Sequence, residues 1–251
     1  MNLHRSYTGN IYLASDFHLG IDAKDSSKER ELKIVDWLTS IEAKADLIIL
    51  LGDIFDYWFE YKTVIPRGFS HFWAKIRTLR DAEIPIIFFS GNHDMWMFDH
   101  SEKEYGIPIL SEPTLFEFNG KKVLLHHGDG LGPGDHGYKF IKSIFRNKLA
   151  QFLFARLHPN FGIWLMRKFS HTSRAMDTEQ EFNASNEMLV IYCESQIQKN
   201  DYDFLIFGHR HLKIDHTLSN GKSRYINLGD WLWNYSYASF TDEGFKLSHY
   251  E

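Results

Sequence analysis

A single cysteine, Cys193, occurs in 251 residues. That excludes a disulfide within the chain and any zinc site built on thiolates, and it suits a reducing compartment. No run comes near the roughly 18 to 20 apolar residues of a membrane-crossing helix, so no span is expected. The first ten residues lack the apolar stretch of a secretory signal, and the expected location is the cytoplasm. A net charge of −5 gives no reason to expect nucleic-acid binding. Acidic residues are missing from one stretch: 138–176 has no Asp or Glu but carries Lys139, Lys142, Arg146, Lys148, Arg156, Arg167, Lys168 and Arg174. Internal repeats, low-complexity tracts and clear linkers are also lacking.

What is present is ordinary for a globular chain: 43% hydrophobic and 24% charged residues, enough for one large domain or one with an insertion. Aromatic content is high at 16%. Most of it is expected in the core, with apolar-ligand or membrane contact as a second use.

Three apolar runs, 11–14, 47–51 and 84–89, each lead directly into a polar cluster. Helical spacing over 28–41 and around 69–79 separates them. Strand alternating with helix predicts an α/β fold, and strands apolar at every position predict a sheet covered on both faces. Segments 114–118 and 121–126, joined at Asn119-Gly120, read as a hairpin. Residues 138–170 and 179–198 read as helical, 204–207 as a strand, and 212–250 as short antiparallel strands. The helical stretch 134–200 is expected to be an insertion within a single domain, 1–251.

The polar clusters are Asp16-Phe17-His18, Gly52-Asp53, Gly91-Asn92-His93-Asp94, His127-Gly128-Asp129 and Gly208-His209-Arg210-His211. Each follows a predicted strand, and the carboxyl ends of neighbouring parallel strands lie side by side, so the clusters can converge. Asp-x-His and His-x-His spacings put two side chains on one side of extended backbone. Oxygen and imidazole donors without thiolate suit Mn, Fe, Zn, Ni or Co. Asp16, His18, Asp53, Asn92, His127, His209 and His211 are too many for one four-coordinate ion. They fit two ions sharing a carboxylate, the arrangement that hydrolyses phosphate esters in line. His126 is expected to be a packing residue.

In order and spacing these blocks resemble the metallophosphoesterase (calcineurin-like phosphoesterase) family, over residues 16–211. The resemblance implies a four-layer α-β-β-α sandwich of two mixed sheets, with two divalent metal ions, Mn2+ by expectation. It assigns Asp16, His18, Asp53 and His211 to one ion and Asp53, Asn92, His127 and His209 to the other, with Asp53 bridging. It assigns His93 to the phosphate or the leaving oxygen, with Asp94 holding its ring. Within the family the chain is most similar to the branch that cleaves UDP-linked diacylglucosamine to UMP and diacylglucosamine 1-phosphate in lipid A biosynthesis. The residues carrying this are 53–58, His127-Gly128-Asp129, and Asp135 to Tyr138. That branch often has Arg where this chain has His93. It implies a nucleotide-activated glycolipid as substrate, contacted by Asn92, Asp135, Tyr138 and Arg174. It also implies a lid over acyl chains, which agrees with the apolar and basic composition of the insertion, and contact with the inner face of the cytoplasmic membrane. A phosphoesterase for soluble nucleotides or phosphomonoesters is the alternative, and it would need no greasy cavity under the insertion.

Overall fold

The computed structural model describes residues 5–134, 136–176 and 182–251, and the side chains of all these except 167 and 169–176. In chain order the elements are β1 (Ser6–Tyr7), β2 (Ile11–Ala14), α1 (Ser27–Glu42), β3 (Leu47–Leu50), α2 (Ser70–Asp81), β4 (Ile86–Phe89), α3 (His100–Tyr105), β5 (Ile109–Leu110), β6 (Thr114–Phe118) and β7 (Lys121–Leu125). There follow α4 (His136–Arg146), α5 (Lys148–Phe154), α6 (Pro159–Met176), α7 (Met188–Ile197), β8 (Phe204–Phe207), β9 (Lys213–Thr217), β10 (Arg224–Leu228), β11 (Ser236–Thr241) and β12 (Gly244–His249).

The strands form two six-stranded mixed sheets, ordered β12-β11-β2-β3-β4-β5 and β1-β6-β7-β8-β10-β9. In the first, β2, β3 and β4 run parallel, with Ile11 opposite Leu47 and Ile48 opposite Ile86. Their side chains alternate between two dry environments, which is why every position is apolar. Leu13, Ile49 and Ile87 meet Phe116, Val123 and Ile206 between the sheets. Ala14, Ile48, Leu50 and Phe88 face the other way, toward Ile34, Trp37 and Leu38 of α1 and Phe72 and Ile76 of α2. On the outer face of the second sheet Leu189, Val190 and Cys193 of α7 pack with Leu124, Leu205 and Phe207. The result is the expected four-layer sandwich.

Local signals explain several boundaries. Ser26 and Glu29 form a reciprocal capping box that starts α1. Asn119 (φ 49°) and Gly120 (φ 76°) both adopt positive φ, the two-residue hairpin geometry expected between β6 and β7. Helix α7 begins at Met188 rather than 179 and belongs to the sandwich. The part of the 134–200 stretch that stands apart from the sheets is therefore α4–α6. Neither α4 nor α5 buries a residue fully. Phe145, Phe154, Ile163 and Met166 pack inward on Tyr57, Phe59 and Trp96, and the Trp96 indole N–H donates to the Phe145 carbonyl at 2.8 Å. No helix among the described residues is long and apolar enough to cross a membrane.

Candidate metal centre

The polar clusters leave their strands through strained backbone. Asp16 (φ 57°), His18 (φ 44°), Asp53 (φ 51°), His209 (φ 71°) and His211 (φ 54°) all occupy the left-handed region. Non-glycine residues adopt it rarely, at a cost of about 1–3 kcal/mol each, and such residues gather at functional sites. The expectation that Asp-x-His and His-x-His act from extended backbone is thus corrected. Each pair converges because the chain turns left-handed at both members. Adjacent loops hold the turns, with the Asp16 amide donating to the Gly52 carbonyl at 3.1 Å and the His18 amide to the Asp53 carbonyl at 2.9 Å. Gly52 (φ +87°) must lack a side chain, since a Cβ there would lie 2.7 Å from both the Gly91 nitrogen and His127 Nδ1.

Five strand ends bring all seven candidate ligands together in two adjoining groups. In the first, His211 Nε2 lies 3.2 Å from Asp16 Oδ1 and 3.1 Å from His18 Nε2. In the second, His127 Nε2 is 3.2 Å from Asp53 Oδ2, while Asn92 Oδ1 sits 3.1 Å from His127 Nε2 and 2.9 Å from His209 Nδ1. Asp53 Oδ2 is also 3.7 Å from His18 Nε2, between the groups, and Asp53 Oδ1 accepts the His93 amide at 2.8 Å. His127 Nδ1 lies 2.7 Å from the Leu51 carbonyl. A carbonyl only accepts, so Nδ1 carries the proton and Nε2 is left as a donor atom to a cation.

The electrostatics are those of charges withdrawn from water. Burial by itself would lower His127, but the Asp53 carboxylate holds it at about 10. His18 likewise reaches about 10 because Asp16, Asp56 and Asp53 outweigh burial. Burial, helped by the charge of His127, takes His209 down to about 4. Burial would raise Asp53, yet His127, His93 and His18 pull it far below the usual carboxylate range. The donor set fits divalent cations on three grounds: the ring nitrogens of His18 and His211 lie 3.1 Å apart, a separation a shared cation would bridge, buried carboxylates lie within reach of both groups, and all donors are oxygen or imidazole nitrogen.

One expected role changes. Asp94 does not orient the His93 ring through its carboxylate. Its two oxygens accept backbone amides, from Gly91 at 2.7 Å and Ile54 at 2.8 Å, which ties the β3 loop to the β4 loop. Burial, then the nearby Asp53, raises it to about 7. His93 Nδ1 instead lies 3.0 Å from the Asp56 carbonyl and 3.7 Å from its carboxylate. Asp56 also comes within 3.4 Å of His18 Nδ1. Its position was visible in the sequence, three residues after Asp53, but nothing local distinguished it from Asp94.

Other residues that bear on the centre carried weaker signals. Arg30, fully buried in α1, donates to the Phe17, His18 and Ile21 carbonyls at 2.9, 2.7 and 2.5 Å and so clamps the first ligand loop. Asp129 is buried two residues past His127. It accepts the Tyr138 hydroxyl at 2.6 Å and pairs with Lys142 at 2.5 Å, joining α4 to the centre. The Tyr138 ring lies 6.4 Å from that of His209. His126 Nδ1 accepts the Gly128 amide at 2.9 Å, as suits a packing residue. Asp135 and the side chain of Arg174 lie outside the described residues.

The chain belongs to the calcineurin-like phosphoesterase family, whose model matches residues 9–213. Curated relatives refine the class. A protein of Porphyromonas gingivalis named UDP-2,3-diacylglucosamine hydrolase is 36% identical over 243 residues, covering 91% of this chain and 92% of that one. Proteins of the same name from Pseudomonas savastanoi and Pseudomonas syringae are each 30% identical, covering 96% of both chains.

Proposed function

We propose that this chain hydrolyses the pyrophosphate of UDP-2,3-diacylglucosamine to UMP and 2,3-diacylglucosamine 1-phosphate. The observation that carries the reading is the convergence of seven oxygen and imidazole donors in two groups around Asp53. The identity of the relatives over nearly the whole chain supplies the substrate.

In this reading Asp16, His18, Asp53 and His211 hold one divalent cation, and Asp53, Asn92, His127 and His209 hold the other. Two Mn2+ ions there supply positive charge to the phosphoryl oxygens and a nucleophile from water near neutral pH. The protein's own part is to hold the α-phosphoryl group in line and steady the departing phosphate. With His93 Nδ1 donating to the Asp56 carbonyl, Nε2 gives a hydrogen bond to substrate oxygen only in the doubly protonated ring; burial disfavours that form, and the negative charge of a bound phosphoryl group would favour it again. The departing group is a phosphate monoester with a second pKa of about 6. It needs a charged hydrogen bond more than a complete proton transfer, and Arg in place of His could serve. The side-chain amide of Asn92 remains for a phosphoryl oxygen. Tyr138, Asp135 and Arg174 are assigned to the sugar phosphate, with Tyr138 set in place by Asp129.

Helices α4–α6 act as a lid over the acyl chains and as the membrane-facing surface. Among the described residues, large hydrophobic side chains that are exposed concentrate there: Phe140, Leu149, Phe152, Leu153 and Phe161 are each at least half exposed. Lys148, Arg156 and Lys168 are interleaved with them. Apolar surface with adjacent cations suits the inner face of the cytoplasmic membrane.

The test is turnover of UDP-2,3-diacylglucosamine with Mn2+ in 18O-water, followed by 31P NMR. The reading predicts UMP carrying the label. Label in the lipid phosphate would place the attack on the other phosphorus. No turnover, beside brisk cleavage of simple nucleotides, would favour a phosphoesterase for soluble substrates.

A further inference from the structure

Given the proposal that the substrate is a nucleotide diphosphate, we infer that the cleft between α6 and the loops following β2 and β3 receives its nucleoside. The cleft has a volume of about 480 Å³, within the roughly 300–1,000 Å³ of small-ligand sites. One wall is Asp56, the residue that contacts His18 and His93. The cleft therefore opens at the rim of the metal centre, where a group attached to the reacting phosphorus must go.

Its lining is mixed, with Leu19, Tyr57, Pro66 and Ile163 beside two further aromatic rings and a few polar groups, which suits a planar ring with polar edges. Phe69 lies against Gly20, where a Cβ would come within 3.4 Å of the ring edge. Trp164 enters from α6 with more than half of its surface uncovered. Aromatic faces of this kind stack on nucleobases. Two polar side chains line the same space, Arg67 and Asn160. Neither the Arg67 guanidinium nor the Asn160 side-chain amide has a hydrogen-bonded or charged protein partner among the described residues. The amide offers a donor and an acceptor to the edge of a pyrimidine, and the guanidinium offers donors to ribose or phosphate.

An acyl chain is the poorer occupant. It would strip water from Arg67 and Asn160 without replacing their hydrogen bonds. Apolar side chains suited to hydrocarbon continue from Tyr57 and Ile163 on the cleft wall to Phe59, Trp96, Phe145, Phe154 and Met166. The two halves of an amphipathic substrate thus have adjoining surfaces, polar at Arg67 and Asn160 and greasy beneath α4–α6.

The experiment is calorimetric titration of the Mn2+-loaded protein with UMP and, separately, with ribose 5-phosphate, which keeps the sugar phosphate but lacks the base. Trp164→Ala is expected to weaken UMP roughly tenfold, the loss of one stacking face, and to leave ribose 5-phosphate binding as it was. Arg67→Ala is expected to weaken both. With the glycolipid substrate, Trp164→Ala should raise KM more than it lowers kcat, as loss of uniform binding does. Unchanged UMP affinity in both variants overturns the assignment. So does a Trp164→Ala variant that loses affinity for diacylglucosamine 1-phosphate but not for UMP. If UMP binding responds as expected while UDP-2,3-diacylglucosamine is never cleaved, the nucleoside cleft stands and the proposed reaction falls.

Discussion

Substituting His93 separates charge stabilisation from proton transfer at the leaving oxygen. Its ring is mostly covered, 12% exposed, with Nδ1 held by the Asp56 carbonyl at 3.0 Å. Its backbone amide donates to Asp53 Oδ1 at 2.8 Å, and that bond survives any side-chain change. His93→Ala should therefore leave Asp53 with its backbone partner and remove only the imidazole proposed to meet the substrate. Loss of one such donor costs about 10²–10³-fold in kcat, or roughly 2.7–4 kcal/mol. His93→Arg supplies a charged donor from the same backbone position and should recover to within about tenfold of the parent on a pyrophosphate. On a phosphodiester with an alkyl alcohol as leaving group, His93→Arg should stay as poor as His93→Ala. An alkoxide needs a proton that arginine cannot give. The assay is UMP release under saturating Mn2+, with bound metal counted in each variant. Full activity in His93→Ala, or an arginine variant no better than alanine on the pyrophosphate while both retain two cations, would refute this account.

Other outcomes follow from the same geometry. Asp53→Ala should lower turnover by more than about 10³-fold, since both cation groups lose a carboxylate, while far-UV circular dichroism remains that of the parent. Trp37 is fully buried against Trp231 at 5.2 Å and Phe17 at 6.3 Å. Trp37→Ala should cost about 3–5 kcal/mol, read as a fall in the urea midpoint; a change below about 1 kcal/mol would contradict the packing described. Cys193 is buried and its thiol is pushed up by burial. A disulfide reagent should label it only in denaturant, and rapid labelling of the native protein would count against its place on the buried face of α7. If α4–α6 meet a membrane as proposed, Leu149→Glu with Leu153→Glu should weaken sedimentation with anionic vesicles by tenfold or more, since each buried leucine is worth about 1.5–3 kcal/mol; unchanged partition would contradict that proposal.

Much of the sandwich was legible because burial on two faces leaves a plain trace. The all-apolar runs of β2, β3 and β4 and the Asn119-Gly120 turn needed no knowledge of their partners. The elements that were missed are short and polar. Strand β1 is two residues paired to β6 at Glu117 and Phe118, and α3 is six residues with one buried side chain. The insertion was drawn through to residue 200 because α7 is apolar like its neighbours. Only the pairing of β7 with β8 reveals α7 as the helix covering that crossover.

The centre was legible as a set of donors but not as a geometry. Residue types and their order gave seven candidate ligands, yet no local pattern announces that Asp16, Asp53 and His209 sit at positive φ. Tertiary contacts impose those angles on residues that would not choose them alone. Asp94 and Asp56 illustrate the same limit. Two carboxylates follow two strands in similar settings, and the fold alone decides which one meets backbone amides and which meets His18 and His93. Arg30, which braces the first loop from inside α1, looks in the sequence like any solvated helix arginine.

The most direct measurement is anomalous diffraction at the manganese edge from crystals of the protein grown with Mn2+. The account predicts two peaks, one among Asp16, His18 and His211, the other among Asp53, Asn92, His127 and His209, with the Asp53 carboxylate touching both. A single peak, or manganese bound away from these side chains, would contradict it.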